Sequence, residues 1–302
     1  MERSMSDLSL ERTEDGSMTA ALRAGTPEDA EACGHIFHRA FTAIATAHGY
    51  PSDVPAREIG ISVMTMLLSH PGFYSVVAEH AGTIVGSNFL DERSPIAGVG
   101  PITVDPAVQD LGIGRLLMRD VLDRAAARDF AGVRLLQAAY NTRSLSLYAR
   151  VGFQVRDVVA CMQGPPIGAA IPGYHVRPAI EADLAACNAV CFHVHGHDRG
   201  GELRDAIAQG SAVVVEHDGR ITGYATATAF FGHAVGETTE DLKVVIGAAQ
   251  AFEGSGILVP LRNSALFAWC LQNRLRVVFL MTLMSVGLYT EPAGAYLPSV
   301  LY

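Results

Sequence analysis

The sequence predicts an α/β chain, a mixed β-sheet flanked by helices, built twice in tandem. Three observations lead there. Apolar segments of strand character take turns with segments of helical periodicity. In the first half, QDLGIGRLLMRDVLDRA (109–125) places two glycines one residue apart before an amphipathic run and just after the β-like GVGPITVDP. Two pieces of the first half also return in the second. LRAGTPEDAEACGHIF, from Leu22, is matched by VRPAIEADLAACNAVCF, from Val176; Arg23 and Arg177 stand 154 residues apart, as do Asp29 and Asp183. VVAEHAGTIVG (76–86) is matched by VVVEHDGRITG (213–223), both strand, tight Gly turn, strand, now at an offset of 137, so the second copy has lost part of a helical region.

The elements follow in order. Residues 1–17 are polar and charged without an apolar h-region, which predicts a disordered tail rather than a secretion signal. In the first domain, 18–164, the pattern predicts a strand at 19–23, helices at 27–41 and 57–68, and hairpin strands at 74–79 and 84–90. A strand at 98–104, the helix after the double glycine, a strand at 133–138, a short helix at 144–150 and closing strands over 153–162 complete it. GPPIGAAIPG is punctuated too heavily for helix or central strand, which makes 165–173 the linker and 174–302 a second domain. VVFLMTLMSVGLY (277–289) is too short to span a bilayer and suits a long buried strand.

Composition removes several classes of function. With 49% hydrophobic residues among 302, the chain can build two cores without a membrane. A net charge of -9 argues against nucleic acid, whose phosphates need a basic surface, but allows a small anion at one local site. The five cysteines are scattered and contain no C-x-x-C pair, so neither a disulfide framework nor a structural zinc site is expected, and a reducing cytoplasm fits. HVHGH (193–197) alternates imidazoles and invites comparison of a metal site with a polar loop after a helix; no cysteine or carboxylate spacing beyond Asp198 completes a ligand set, and no metal is expected.

The double glycine has a physical use. The first N–H groups of a helix have no partners within it, and the aligned peptide dipoles put about half a positive charge there. Gly112 and Gly114 would let an anion reach that backbone, Arg115 and Arg119 add charge, and Leu117, Met118, Val121, Leu122 and Ala125 bury the other side. A P-loop would need a lysine and a hydroxyl after Gly114, and a dinucleotide fingerprint would need a third glycine where Leu117 stands. What remains is Gln-x-x-Gly-x-Gly. With the strand before and the helix after, it resembles the pyrophosphate-binding segment of the GNAT superfamily of acyl-CoA-dependent N-acetyltransferases. NTRSLSLYARVGF (141–153), with Asn, then Leu-Tyr, then Gly-Phe, resembles the superfamily's other signature, in the right order; the resemblance covers about 18–164.

The resemblance implies two tandem GNAT-like domains and acetyl-CoA as substrate. Leu111, Gly112, Ile113, Gly114 and Arg115 would cradle its pyrophosphate, with Gln109 shaping the loop and Asn141 and Ser144 on the pantetheine side, where both also suit helix capping. A β-bulge over Ile102, Thr103 and Val104 would offer N–H groups to the thioester carbonyl, and Tyr148 would be the general acid. The acceptor is a small-molecule or protein amine, and a homodimer stays open. Its amine needs a base, and the sequence leaves that base open: Glu92, carried as the candidate, and Asp91 could reach the acceptor side, Asp105 shapes the turn with Pro106, and His38, His48 or a water relay are further options. HGYPSDVPAREIG (48–60) is the acceptor-side loop. A noncatalytic acyl-CoA-binding regulatory module is the alternative. In the second copy FEGSGILVP (252–260) is expected at the glycine-loop position, where Glu253 would repel phosphate; with no second Asn...Leu-Tyr...Gly-Phe segment, that copy is read as degenerate.

Overall fold

A computed structural model describes residues 20–302; the tail expected over 1–17 lies outside the described residues. The first half runs β1 (Ala21–Ala24), α1 (Ala30–Ala47), α2 (Arg57–Ser69), β2 (Phe73–His80), β3 (Thr83–Asp91), β4 (Ile96–Val99), β5 (Thr103–Val104), α3 (Ile113–Ala127), β6 (Gly132–Ala138), α4 (Thr142–Arg150) and β7 (Gln154–Gln163). The second half runs β8 (Tyr174–Pro178), α5 (Leu184–His195), α6 (Gly200–Gln209), β9 (Val213–His217), β10 (Arg220–Ala225), β11 (Ala234–Gly236), α7 (Thr239–Ala248), β12 (Ile257–Pro260), α8 (Ser264–Gln272), β13 (Arg276–Gly287) and β14 (Ala295–Leu297). Every helix and hairpin strand expected in the first half is present among the described residues, β1 is seen from Ala21, and the closing strands expected over 153–162 are one continuous strand, β7. The strand expected at 98–104 is divided into β4 and β5, because the chain leaves the ladder over residues 100–102.

The repeated sequence carries a repeated structure. Arg23 donates to both carboxylate oxygens of Asp29, at 2.7 and 2.8 Å, and to Glu79; Arg177 does the same to Asp183, at 2.6 and 2.9 Å, and to Glu216. These guanidiniums hold both aspartates below the ordinary carboxylate range. Asp29 and Asp183 also accept from the main-chain N–H three residues earlier, fixing each turn into its first helix. Cys33 and Cys187, 154 residues apart, are both fully buried behind them.

Helices cover both faces of each half. α1 and α2 bury Cys33, Phe37, Met64 and Leu67 against Val77 and Phe89, while α3 buries Leu117, Met118 and Val121 against Val76, Ala78 and Leu90. Strands covered on both sides need continuous rather than alternating apolar character, as in Val76, Val77 and Ala78. α1 and α2 touch backbone to backbone: a Cβ on Gly60 would stand 2.6 Å from the Gly34 carbonyl oxygen, and one on Gly34 2.5 Å from Ile61 Cα. That contact sets how closely the two helices joined by the loop can pack.

The two halves share their strands. The larger sheet runs β1-β2-β3-β4-β6-β13-β7-β12, with β5 on β3; a second sheet runs β14-β11-β10-β9-β8. β13 lies between two first-half strands, pairing Met281–Gly287 with β6 and Arg276–Ser285 with β7. In return β7 pairs with β12 of the second half, Met162 opposite Ile257. The expected long strand at 277–289 is thus real but completes the first half. FEGSGILVP is not a glycine loop: it turns at 253–256 and becomes β12, because Ile257, Leu258 and Val259 are a fully buried apolar run. No helix among the described residues is long and apolar enough to cross a membrane.

A chain ending at residue 173 would leave β6 and β7 without the strand that bridges them. We expect that fragment to show no cooperative thermal transition by circular dichroism and to sediment as aggregate, where the whole chain melts cooperatively. A sharp melt of the fragment would show that β13 is dispensable.

Candidate active site

Among the described residues β4 and β6 are the one parallel neighbouring pair of strands in the larger sheet, and they pair over Ile96–Gly98 and Gly132–Arg134. Beyond those residues they part. The opening holds a cavity of about 940 Å³ with residues 99–104 on one side and residues 135–138 on the other.

The β4 side contains an irregularity. Val99 pairs with Leu90 and Thr103 with Ser87, so four residues on one strand span what three span on the other. The extra residue is left out of the ladder as a bulge, and Ile102, Thr103 and Val104 line the cavity there. Ser87 and Thr103 brace the segment through their hydroxyls, 2.9 Å apart.

The glycine loop meets the same opening. Gln109 donates to the Val104 carbonyl at 3.2 Å and accepts from Arg143, which ties the loop to β5 behind it and to α4 beside it. Gly112 is the residue before α3 and sits at φ +87°, a conformation that favours glycine. It has no side chain to cap the helix, and the first turn contains no acid. The leading N–H groups of α3 are therefore uncapped, and Leu111, Gly112, Ile113, Gly114 and Arg115 line the cavity. A Cβ on Gly114 would press on Leu147 of α4 at 3.3 Å. Arg115, Arg143 and Arg150 give this arm its positive charge; Arg119 lies outside the lining. An uncapped helix start with three arginines nearby suits a phosphate-bearing ligand.

α4 supplies the other wall. Asn141 caps it by accepting from the Ser144 N–H at 3.2 Å, and Ser144 Oγ is hydrogen-bonded to the Gln137 amide at 2.8 Å. Both residues thus have capping and bracing roles while lining the cavity. Tyr148, one turn on, is 6% exposed and also lines it; burial pushes its phenol well above the usual value, partly offset by Ser144, so it stays protonated at neutral pH.

Glu92 is not part of this assembly. It lies outside the cavity lining, where Arg124 holds it at 2.7 and 3.1 Å. A carboxylate engaged this way on α3 is not placed to receive a proton from a ligand in the cavity. Asp91 is likewise bound to Arg93 at 2.6 Å, and Asp105 caps the turn at Pro106 and pairs with Arg39. His38 bonds the Val54 carbonyl and His48 that of Ile44; neither lines the cavity.

Sequence reasoning missed Asp53. It lines the cavity from the loop between α1 and α2, within the segment expected on the acceptor side, and accepts from Ser255 Oγ of the second half at 2.7 Å. Burial raises its carboxyl to about 6, with Ser255 pulling it back. The signal available in the sequence was an acid alone among small and apolar residues in YPSDVPA. Phe230, Phe231, Val300 and Leu301 of the second half close the same arm.

The second half is built differently at the corresponding place. α7 holds the place of α3, but its start is closed: Thr238 accepts from the Asp241 N–H, Asp241 accepts from the Thr238 N–H at 2.8 Å, and Glu240 adds charge of the wrong sign for phosphate. β14 pairs along β11 and lies against β12, filling the position that stays open between β4 and β6. One matching feature went unread in the sequence: Asn263 caps α8 as Asn141 caps α4. HVHGH is not an extended segment. His193 and His195 lie on α5, about 200° apart around its axis, and His197 follows the turn at Gly196. No group of three metal-ligating residues occurs among the described residues.

Comparison with known proteins agrees with this geometry. The family model for the acetyltransferase (GNAT) family matches residues 31–153. The N-alpha-acetyltransferase RimI of Mycobacterium tuberculosis is 40% identical over 92 residues, 29% of this chain and 56% of that protein. The chain spans between about a fifth and just over half of the length of the curated relatives it matches. A structure from Pyrococcus horikoshii superposes over 98% of both chains with a TM-score of 0.71 at 17% identity. The tandem GNAT protein from the clavulanic acid biosynthesis pathway covers 89% of this chain and 98% of its own, at TM-score 0.54 and 14% identity. Residues 31–153, the part of the chain with the open parallel strands and the uncapped glycine-led helix, match the GNAT acetyltransferase family model, and the chain as a whole shares the fold of a tandem GNAT protein.

Proposed function

We propose that the protein is an acetyl-CoA-dependent N-acetyltransferase that moves the acetyl group directly to a primary amine bound beside it. The observation that carries this reading is the opening between β4 and β6, where an uncapped helix start, a bulged strand and a buried protonated tyrosine face one cavity. The N–H groups leading α3, with Arg115, Arg143 and Arg150, bind the pyrophosphate. The main chain at Ile102, Thr103 and Val104 donates to the thioester oxygen as charge develops on it. Tyr148 then gives its proton to the departing thiolate. Asn141 and Ser144 orient the pantetheine arm from the start of α4. The second half binds no acetyl-CoA in this reading, because Thr238 and Asp241 already occupy the start of α7. The domains are 18–164 and 174–302, joined by 165–173, with strands exchanged between them.

Titration calorimetry with acetyl-CoA should find one site per chain; two would overturn the silent second half. Gly112→Glu should abolish that binding, since it forces a side chain into a left-handed position and an anion into a phosphate site. Tyr148→Phe should bind acetyl-CoA as before but lose roughly 100-fold in kcat, the usual scale for a removed general acid. Equal loss of binding in both variants would sink this division of roles. Tight binding by the wild type without transfer to any amine would instead identify a noncatalytic acyl-CoA-binding module.

A further inference from the structure

The arm of the cavity away from the glycine loop differs from the phosphate arm in chemistry. Its walls are Phe37 and Phe41 of α1, Tyr140 after β6, Phe230 and Phe231 of the second half, and Leu301 near the chain end. The cavity is lined by two carboxylates. Asp110 belongs to the phosphate arm, 3.6 Å from Arg143 and largely exposed. Asp53 stands alone among the apolar walls.

Resting on the acetyltransferase reading above, we propose that Asp53 receives the ammonium group of the acceptor and takes its proton, and that the acceptor is a primary amine on an apolar or aromatic body seated between the two halves of the chain. A single carboxylate matches a single cationic centre. A polyamine or an amino sugar would leave further charges and hydroxyls against phenylalanines with no partner. Pairing with a carboxylate also offsets the cost of drawing an ammonium ion into an apolar arm.

The step balances in protons and electrons. The acceptor's ammonium gives one proton to the Asp53 carboxylate, and its freed lone pair forms the C–N bond to the acetyl carbon. The C–S bond breaks with its electron pair on sulfur, and the thiolate takes the Tyr148 proton. The second proton of the new amide nitrogen restores Tyr148 through solvent, and Asp53 releases its own to water. An ordinary aspartate is a poor base for an alkylamine. Burial raises Asp53 to about 6 and narrows that gap.

Ser255 is a positioning residue for Asp53. Its hydroxyl donates to the carboxylate at 2.7 Å, and its carbonyl accepts from Cys161 of β7, so the carboxylate is held from the second half and from the strand exchanged with it. Other groups around Asp53 carry no charge near neutrality: Tyr140 is pushed up to about 12 and the Cys161 thiol well above its usual value, both chiefly by burial. The remaining acidic and basic side chains on the elements flanking the loop are Glu31, His35, His38 and Arg39 on α1, His48 just after it, and the Arg57–Glu58 pair at the start of α2, with Arg39 engaged by Asp105.

The test uses the whole chain saturated with CoA, titrated by calorimetry with 2-phenylethylamine and with the neutral 2-phenylethanol, alongside kcat/KM for 2-phenylethylamine against pH. We expect the amine to bind at least tenfold more tightly than the alcohol, and Asp53→Asn to remove that preference while leaving acetyl-CoA binding unchanged. Wild-type kcat/KM should fall as pH drops below about 6, where Asp53 becomes protonated, and D53N should lose about 100-fold together with that limb. Ser255→Ala removes a donor to the carboxylate, so Asp53 should protonate at higher pH and the acid limb should move up, a shift that mere loosening would not produce. A limb unchanged in D53N would overturn the role of Asp53, as would D53N turnover within threefold of wild type. Equal binding of amine and alcohol, no binding of either, or preferred turnover of spermidine would overturn the acceptor class while the transferase reading stands. A wild type that binds no acetyl-CoA would overturn both.

Discussion

The arrangement depends on β13 being hydrogen-bonded along both edges, to β6 on one side and β7 on the other. β6 is the strand from which the cavity opens, and its other neighbour, β4, leaves it after Gly98. A parallel strand released on one edge is stable only if the other edge is held, because unpaired buried backbone groups are costly. β13 provides that hold over the length of β6, and it comes from the second half of the chain. The open part of the sheet and the exchanged strand are therefore one solution: the first half can part its strands because the second half completes its ladder.

The same fold then produces opposite outcomes in its two copies, and the difference lies in a few residues at one helix start. At α3 the residue before the helix is a glycine, and the first turn carries no acid. At α7 the corresponding place is taken by Thr238 with Asp241, a reciprocal cap that stabilises the helix and uses the N–H groups an anion would need. Stability and binding compete directly here. The capped helix is the better helix; the uncapped one keeps unsatisfied donors and a left-handed residue, features retained where a ligand supplies the missing partners. β14 makes the difference permanent by pairing along β11 where the first half stays open.

Much of this was legible in the sequence, for identifiable reasons. α2 was expected at 57–68 and spans Arg57–Ser69, because its apolar period is regular and its bounds are marked by polar residues. The glycine loop, the bulge and the Asn141 cap are local, so short motifs report them. The repeat was visible because an arginine held by two carboxylates tolerates few replacements, and Arg23 and Arg177 preserve it. The strand exchange was not legible: the apolar run in β13 has the same composition whichever sheet it enters. Glu92 was misplaced for a similar reason. Position after a strand says nothing about rotation, and Arg124, 32 residues later, decides where the carboxylate points. Asp53 was hidden because its setting is made by Ser255, 202 residues away.

The second copy, whose α7 start is capped by its own side chains, is fixed in place by geometry. Its strand β13 completes the sheet of the first half, and the turn before β12 brings Ser255 to Asp53. Phe230 and Phe231 close the cavity arm opposite α1, and the segment carrying Val300 and Leu301 is pinned beneath them by main-chain bonding between Val300 and Phe230 and by Ser299 to the Phe231 carbonyl. Once two halves exchange strands, neither can drift away from the other without unpairing a central ladder, so wall residues on the second half are held as rigidly as those on the first. Loops on a rigid frame are where recognition residues can vary without cost to the core. The second half therefore offers a fixed surface facing the chemistry of the first, in which substitutions at 230, 231, 300 and 301 change the shape of the arm while the glycine loop, the bulge and Tyr148 stay where they are.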